Sequence, residues 1–272
     1  DVSLQLRAGE TLGLVGESGS GKSTLGRAIL QLEKATSGQI RFDGHPITNG
    51  LHSDIARLRQ QTAMIFQDPF ASLNPRQTIG ESIAEVLRVH RKVAKECISA
   101  RVDELLSEVG LRPEHGLRRP HALSGGQCQR AGIALALAME PRLIVADECV
   151  AALDVSIQGQ IINLLMSLRE KMGLTILFIA HDLAIVRRLC DRVAVMYAGQ
   201  IVELAPARAL LQQPRHPYTR ALMASVPKLR GAAQRLTAIP GNVPRLEDFP
   251  PGCRFAPRCP IAKAECSQTA PE

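Results

Sequence analysis

One octet constrains this chain more than any other feature. Gly16-Glu17-Ser18-Gly19-Ser20-Gly21-Lys22-Ser23 fits the pattern G-x-x-x-x-G-K-S/T without a mismatch. The apolar run Thr11 to Val15 before it reads as a strand, and about Lys22 to Leu32 behind it reads as a helix. In that context the glycines let backbone N–H groups turn inward and cradle phosphate oxygens. The helix N-terminus adds positive potential. Lys22 is expected to reach the β- and γ-phosphates, the Ser23 hydroxyl to ligate Mg²⁺, and Thr24 to complete the nucleotide set. The alternative is a Gly/Ser-rich turn before a helix; the complete pattern between strand and helix speaks against it.

The rest of the chain fits an α/β core. Val2 to Leu6 and Thr11 to Val15 read as two short strands around the turn Arg7 to Glu10. A further strand is expected at Gln39 to Phe42, and Ala63 to Phe66 is another short apolar run. From about Asn74 to Met139 the pattern is helical: Ile79, Ile83, Val86 and Leu87 recur at helical spacing, as do Val102, Leu105, Leu106 and Val109. Leu143 to Ala146 and Thr175 to Ala180 are nearly all apolar, as strands buried on both faces of a parallel sheet would be. A helix from Ser156 to Met172 separates them, giving a β-α-β order. Arg192 to Tyr197 and Gln200 to Leu204 read as a hairpin turning at Ala198-Gly199. After Pro206 one more helix, Ala207 to Gln213, is expected before a loop-rich tail. The organisation expected is thus a P-loop core with a mainly parallel sheet over 1–205, an inserted helical subdomain at about 74–139, and a C-terminal extension over 206–272.

Several polar residues fall where these strands end. Gln67 follows Phe66, Asp147 and Glu148 follow Ala146, and His181 follows Ala180. In open α/β sheets that edge is where ligands bind. Beside a phosphate loop, Asp147 is expected to bind Mg²⁺ and Glu148 to orient the attacking water. Gln67 is placed to meet Mg²⁺ or that water, and His181 the γ-phosphate. Taken singly, Gln67 is an ordinary turn residue and His181 a hydrogen-bonded structural histidine.

Leu123-Ser124-Gly125-Gly126-Gln127 precedes a helix expected from about Cys128 to Met139. Ser124 and Gln127 have the spacing of a capping box. The two glycines also leave backbone N–H groups open to an anion. The first loop already holds this chain's own nucleotide, so this second γ-phosphate site would serve a partner's.

Composition narrows the classes. The net charge is +7, but there is no Trp and only two Tyr and six Phe, so platforms for stacking bases are scarce and nucleic acid is not the expected partner. No apolar run approaches the roughly 18 residues of a membrane helix. The first residues lack the basic end and apolar core of a signal peptide, so a cytosolic location is expected.

Together these residues resemble the ATP-binding subunit of an ABC (ATP-binding cassette) transporter, over nearly the whole chain. Gly16 to Ser23 resembles the Walker A motif, Leu143 to Glu148 Walker B, and Leu123 to Gln127 the LSGGQ signature. Gln67 sits where the family has its Q-loop glutamine, Asp154 in its D-loop, and His181 at its switch histidine. The resemblance implies a head-to-tail dimer with a second ATPase subunit, identical or not, with ATP and Mg²⁺ between one chain's Walker A and the other's signature. It also implies two transmembrane permeases, a solute-binding protein acting indirectly, and a place at the cytoplasmic face of the plasma (inner) membrane.

Phe66 to Pro75, Arg215 to Leu222 and Pro250 to Cys266 are similar to dipeptide and oligopeptide importers, a subfamily that includes importers of nickel and glutathione. The function implied is ATP hydrolysis powering uptake of peptides or related solutes. The alternatives are a soluble ABC ATPase of DNA repair or translation, and a weakly active regulatory cassette. The only support for the last is Cys149-Val150-Ala151, where the family has Pro-Thr-Ser or Pro-Val-Ser. The family also stacks adenine on an aromatic upstream of Walker A. None occurs in residues 1–15, so an upstream strand is expected before this sequence.

Cys253, Cys259 and Cys266 have five and then six residues between them. Two readings stand: reduced structural thiols, or a metal site. The resembling importers can carry four such cysteines, and for some a [4Fe-4S] cluster has been proposed. Four-thiolate ligation needs one more ligand than this tail offers.

Overall fold

A computed structural model describes residues 2–48, 50–225, 239–244 and 246–270. In chain order the elements are β1 (Thr11–Val15), α1 (Lys22–Ile29), β2 (Arg41–Phe42), β3 (His45–Pro46), α2 (His52–Gln61), β4 (Thr62–Ile65), α3 (Ile79–Val89), α4 (Ile98–Glu108) and α5 (Gly125–Leu137). They continue as β5 (Leu143–Asp147), α6 (Val155–Met172), β6 (Thr175–Ala180), α7 (Leu183–Leu189), β7 (Arg192–Tyr197), β8 (Gln200–Pro206), α8 (Ala207–Gln212) and α9 (Pro217–Ala224). The chain divides into two compact units. One holds Asp1–Leu6, Thr11–Ser23 and Ile179–Glu272; the other holds Arg7–Glu10 and Thr24–Phe178.

The first unit is built on β1, β7 and β8, neighbours in that order. Every residue of β1 is buried, Thr11 among them, as the mostly apolar sequence Leu12 to Val15 favours. It runs parallel to β7, with Leu12 opposite Arg192 and Val15 opposite Val195. At Ala198-Gly199 both φ angles are positive, 46° and 80°, the backbone a tight hairpin needs. The chain then returns antiparallel as β8.

The expected strand at Val2 to Leu6 is absent: these residues join no ladder, and the Gln5 carbonyl accepts from the Arg192 side chain instead. Alternation alone does not make a strand when no neighbour supplies backbone partners.

Among the described residues of the tail, Pro217–Ala224 form a helix that the composition does not announce. His216 caps α9 through its Nδ1, which accepts from the Tyr218 N–H at 3.1 Å, and Pro217 occupies the first turn. Glu203 of β8 fixes the entry by accepting from the Arg215 and His216 N–H groups at 2.9 and 3.0 Å. Tyr218 then packs against Tyr197 and Phe255, with ring centroids 4.6 and 5.4 Å away. All three rings are essentially inaccessible, so each stabilises the fold by about 2 kcal/mol or more.

In the second unit β4 and β5 run parallel, with Thr62 opposite Leu143 and Ile65 opposite Ala146, and β6 follows β5 in strand order. The helical stretch resolves into α3, α4 and α5 with short 3₁₀ turns at Pro113–Leu117 and Pro120–Ala122. Thr78 opens α3 with a reciprocal cap: its Oγ1 accepts from the Glu81 N–H, and Glu81 Oε2 accepts from the Thr78 N–H at 2.7 Å. That bond holds the Glu81 carboxyl below the usual range. Ile79, Ile83 and Leu87 of α3 and Leu105 and Leu106 of α4 are buried, the core that their spacing predicts. Among the described residues no helix is long and apolar enough to cross a membrane.

Candidate active site

In the first unit the chain leaves β1 directly into the loop Gly16 to Ser23. Gly16 is required by proximity: a Cβ there would collide with the Met196 carbonyl oxygen of β7. The loop's far side is tied to the same hairpin, where the Gly199 N–H donates to the Ser20 carbonyl at 2.9 Å. Lys22 is 5 % exposed and folds over the loop, donating from Nζ to the Gly16 and Glu17 carbonyls at 2.9 and 3.0 Å. The Ser20 hydroxyl is buried, with no hydrogen-bond partner among the described residues. Ser18 and Gly19 are exposed, while Gly21 and Ser23 are half-buried. A cradle with a buried ammonium and an orphaned hydroxyl suits an oxyanion. His181 follows β6 and is exposed; next to it Asp182 caps α7, its Oδ1 accepting from the Ala184 N–H at 2.7 Å.

Glu17, expected among the nucleotide-binding residues of the loop, has further partners. Its N–H donates to the Tyr218 hydroxyl at 2.9 Å, and its carboxylate forms a two-pronged pair with Arg258 at 2.8 and 3.1 Å. Neither Tyr218 nor Arg258 lies in a local pattern that points to the loop. The signal available was His216-Pro217, a cap followed by proline at the first helical position.

In the second unit the parallel register of β4 and β5 brings their carboxyl ends level. Gln67 Nε2 donates to Glu148 Oε2 at 3.2 Å, so these two predicted residues do meet. Asp147, the last residue of β5, is 5 % exposed; its carboxylate is the hard oxygen ligand that Mg²⁺ takes. Glu148 has a left-handed backbone, φ 44°, an unfavourable state for a non-glycine residue and one typical of functional turns. Its carbonyl accepts from the Ala151 N–H at 2.9 Å, closing the turn.

Cys149, inside that turn, is fully buried, and desolvation pushes its thiol up to about 12. Below that value the thiol stays protonated. Iodoacetamide at pH 8 is therefore expected to label exposed Cys97 in the native protein and Cys149 only after denaturation, read by peptide mass spectrometry. Equal labelling of the two in the native protein would contradict this burial.

The Leu123–Gln127 segment forms the expected capping box. Ser124 Oγ accepts from the Gln127 N–H at 3.3 Å, and Gln127 Oε1 accepts from the Ser124 N–H at 3.0 Å. The helix starts at Gly125, three residues earlier than read from the sequence, so the glycines lie in its first turn. Gly126 permits a close approach: a Cβ there would stand 2.8 Å from Ile157 Cγ2 of α6. Gln127 Nε2 also lies 3.3 Å from His115 Nε2, which ties the segment to the 3₁₀ turn Pro113–Leu117. Asp154 precedes α6 as its N-cap residue, exposed and making no side-chain cap bond. Thr24 is exposed in α1.

The three tail cysteines do not form a ligand set: among the described residues no three His, Cys, Asp or Glu side chains gather around a point that would hold a metal ion. Short turns organise them instead. The Cys253 N–H donates to the Cys266 carbonyl at 2.8 Å, and Cys266 Sγ accepts weakly from the Lys263 N–H at 3.5 Å. Nothing in this arrangement supports the metal or [4Fe-4S] reading of these cysteines.

Comparison with known proteins gives two family matches: "ABC transporter" over residues 1–151, and "Oligopeptide/dipeptide transporter, C-terminal region" over residues 202–266. The chain is 50% identical to the oligopeptide transport ATP-binding protein OppF of Salmonella typhimurium, across 99% of this chain and 82% of that protein. It is 49% identical to the oligopeptide transport ATP-binding protein AppF of Bacillus subtilis, across 100% of this chain and 84% of that protein. Among solved structures, cbiO1 of Clostridium perfringens, part of the ABC transporter complex cbiONQ, superposes with a TM-score of 0.70 at 31% identity, over 77% of this chain and 82% of that one. The ATP-binding cassette MJ0796, a dimer bound to ADP and Pi, gives a TM-score of 0.69 at 30% identity, over 76% of this chain and 90% of that one.

Proposed function

This chain belongs to the ABC transporter family, and on that premise we propose that it is the ATP-binding and ATP-hydrolysing subunit of an importer of peptides or related small solutes. The observation that carries hydrolysis is the Gln67–Glu148 hydrogen bond beside buried Asp147. The peptide class is supported by the relatives, which are named for oligopeptide transport.

In this reading Gly16 to Ser23 wrap the ATP phosphates with backbone N–H groups, and Lys22 exchanges its two carbonyl partners for β- and γ-phosphate oxygens. The Ser23 hydroxyl and the Asp147 carboxylate are the oxygen groups that would hold Mg²⁺, which would neutralise charge on the phosphates. Glu148 orients the attacking water and receives its proton, Gln67 holds the Glu148 carboxylate, and His181 meets the γ-phosphate. Ser124 to Gln127, with Asp154, serve the nucleotide of a second cassette: the Gln127 side chain is engaged in its cap, so the open N–H groups of the α5 first turn are what the segment offers a phosphate.

ATP binds the closed cassette pair more tightly than the open one, and that difference moves two permease subunits. We assign 1–205 to the cassette, with its helical subdomain at about 74–139, and 206–272 to an importer-type extension. Attachment at the cytoplasmic membrane face runs through the permeases, and a solute-binding protein delivers cargo.

Purification of the tagged full chain from gently solubilised membranes of its native host tests this. Two polytopic permeases and ATPase activity lost in Lys22→Ala are expected. Repair or ribosomal partners in the soluble fraction would discard transport, and unchanged nucleotide affinity in Lys22→Ala would discard the loop assignment.

A further inference from the structure

The structure assigns the C-terminal region a direct part in shaping the nucleotide site: Arg258 and Tyr218 are positioning residues that hold the phosphate loop through Glu17. This rests on the reading of residues 16–23 as the phosphate loop.

An acid inside a phosphate loop is unfavourable for binding ATP, because its charge repels the phosphates at short range. Here the Glu17 carboxylate is engaged on both oxygens by Arg258, whose side chain is only 4% exposed. The guanidinium has five N–H donors and five acceptors around it. Nη1 meets Glu17 Oε2 and the Tyr197 hydroxyl, Nη2 meets Glu17 Oε1 and the Ile239 carbonyl, and Nε donates to the Pro240 carbonyl at 2.8 Å. Such a fork fixes direction as well as charge.

The backbone at Glu17 is held separately, its N–H donating to the hydroxyl of buried Tyr218. A third tie reaches the other side of the loop. Arg254 donates to the Ala198 carbonyl, in the hairpin whose Gly199 N–H holds the Ser20 carbonyl. Residues far along the chain therefore neutralise the one acid in the loop and fix the loop on both sides.

Isothermal titration with ATP and steady-state hydrolysis on the full chain test the assignment, with thermal unfolding to establish folding. Arg258→Gln is expected to raise the dissociation constant for ATP about tenfold, with kcat at saturating ATP changed by roughly twofold or less. Arg258→Lys, which keeps the charge and loses the fork, should fall between it and the parent. Adding Glu17→Gln to Arg258→Gln should recover part of the lost affinity, because it removes the uncompensated charge. A merely structural arginine would show no such rescue.

Tyr218→Phe deletes one acceptor and keeps the buried ring; about a fivefold rise in the dissociation constant is expected, and this variant decides the matter if Arg258→Gln does not fold. Unchanged ATP affinity in the folded variants, or additive losses in the double variant, would overturn the assignment. Lys22→Ala separates the two failures. If it abolishes binding while the Arg258 and Tyr218 variants bind normally, the tether fails alone; if it too binds normally, the reading of the loop fails.

Discussion

Glu148→Gln is expected to slow ATP turnover by about a thousandfold while nucleotide still binds. The amide has the size and hydrogen-bonding carbonyl of the carboxylate, so it retains an acceptor for Gln67 Nε2, which donates to Glu148 Oε2 at 3.2 Å in the parent. What it lacks is a lone pair basic enough to take a proton from water. The turn is also unaffected, since the left-handed φ of 44° at this position is a backbone property that glutamine tolerates about as well as glutamate. The loss should therefore fall on kcat with little change in affinity, and the ATP-bound pair of cassettes should accumulate. Single-turnover phosphate release together with nucleotide retention on a sizing column reads both. Turnover equal to the parent's would move the role of base elsewhere.

Gly16→Ala should act by a different route and damage both folding and binding. The added methyl meets the Met196 carbonyl oxygen; its position is fixed by the main chain and its partner is a main-chain atom, so no rotamer change relieves the clash. The loop and β7 would have to separate, at a cost of about 3 kcal/mol. The Ser20–Gly199 backbone bond and the inward N–H groups would be displaced with them, and ATP affinity should fall by about a hundredfold. Gly19→Ala is the control: a Cβ there meets no atom of the described residues within 4 Å, so its backbone preference at φ 79° is what is offended, by about 1 kcal/mol. Urea unfolding and ATP titration compare the two; equal behaviour would remove the steric argument at Gly16.

The sequence made legible those features in which local chemistry and local structure coincide. The phosphate loop, the Ser124–Gln127 cap and the acids ending β5 are read from short patterns whose geometry follows from the residues themselves. The long buried strands and the helix between β5 and β6 followed from unbroken apolar runs and 3.6-residue periodicity. The strand expected at Val2 to Leu6 failed because a ladder depends on a neighbour that a pattern cannot supply. α2 escaped notice because among its residues Leu58 is the one buried, so it carries little periodic signal. In the tail, Pro and Arg read as loop residues, yet Pro217 starts a helix and Arg258 is buried. The contact that explains Arg258 lies 241 residues away at Glu17, and nothing local to either announces it.

That separation has an evolutionary corollary. Glu17 and Arg258 stand near opposite ends of the chain, yet each leaves a buried or half-buried charge unmatched if the other changes alone. The two positions should behave as one unit of inheritance. A chimaera that joins this chain's first residues to the tail of a cassette without an arginine at the matching place should fold poorly or bind ATP poorly. Moving both positions together should restore it, so recombination between relatives is tolerated only where it carries the pair.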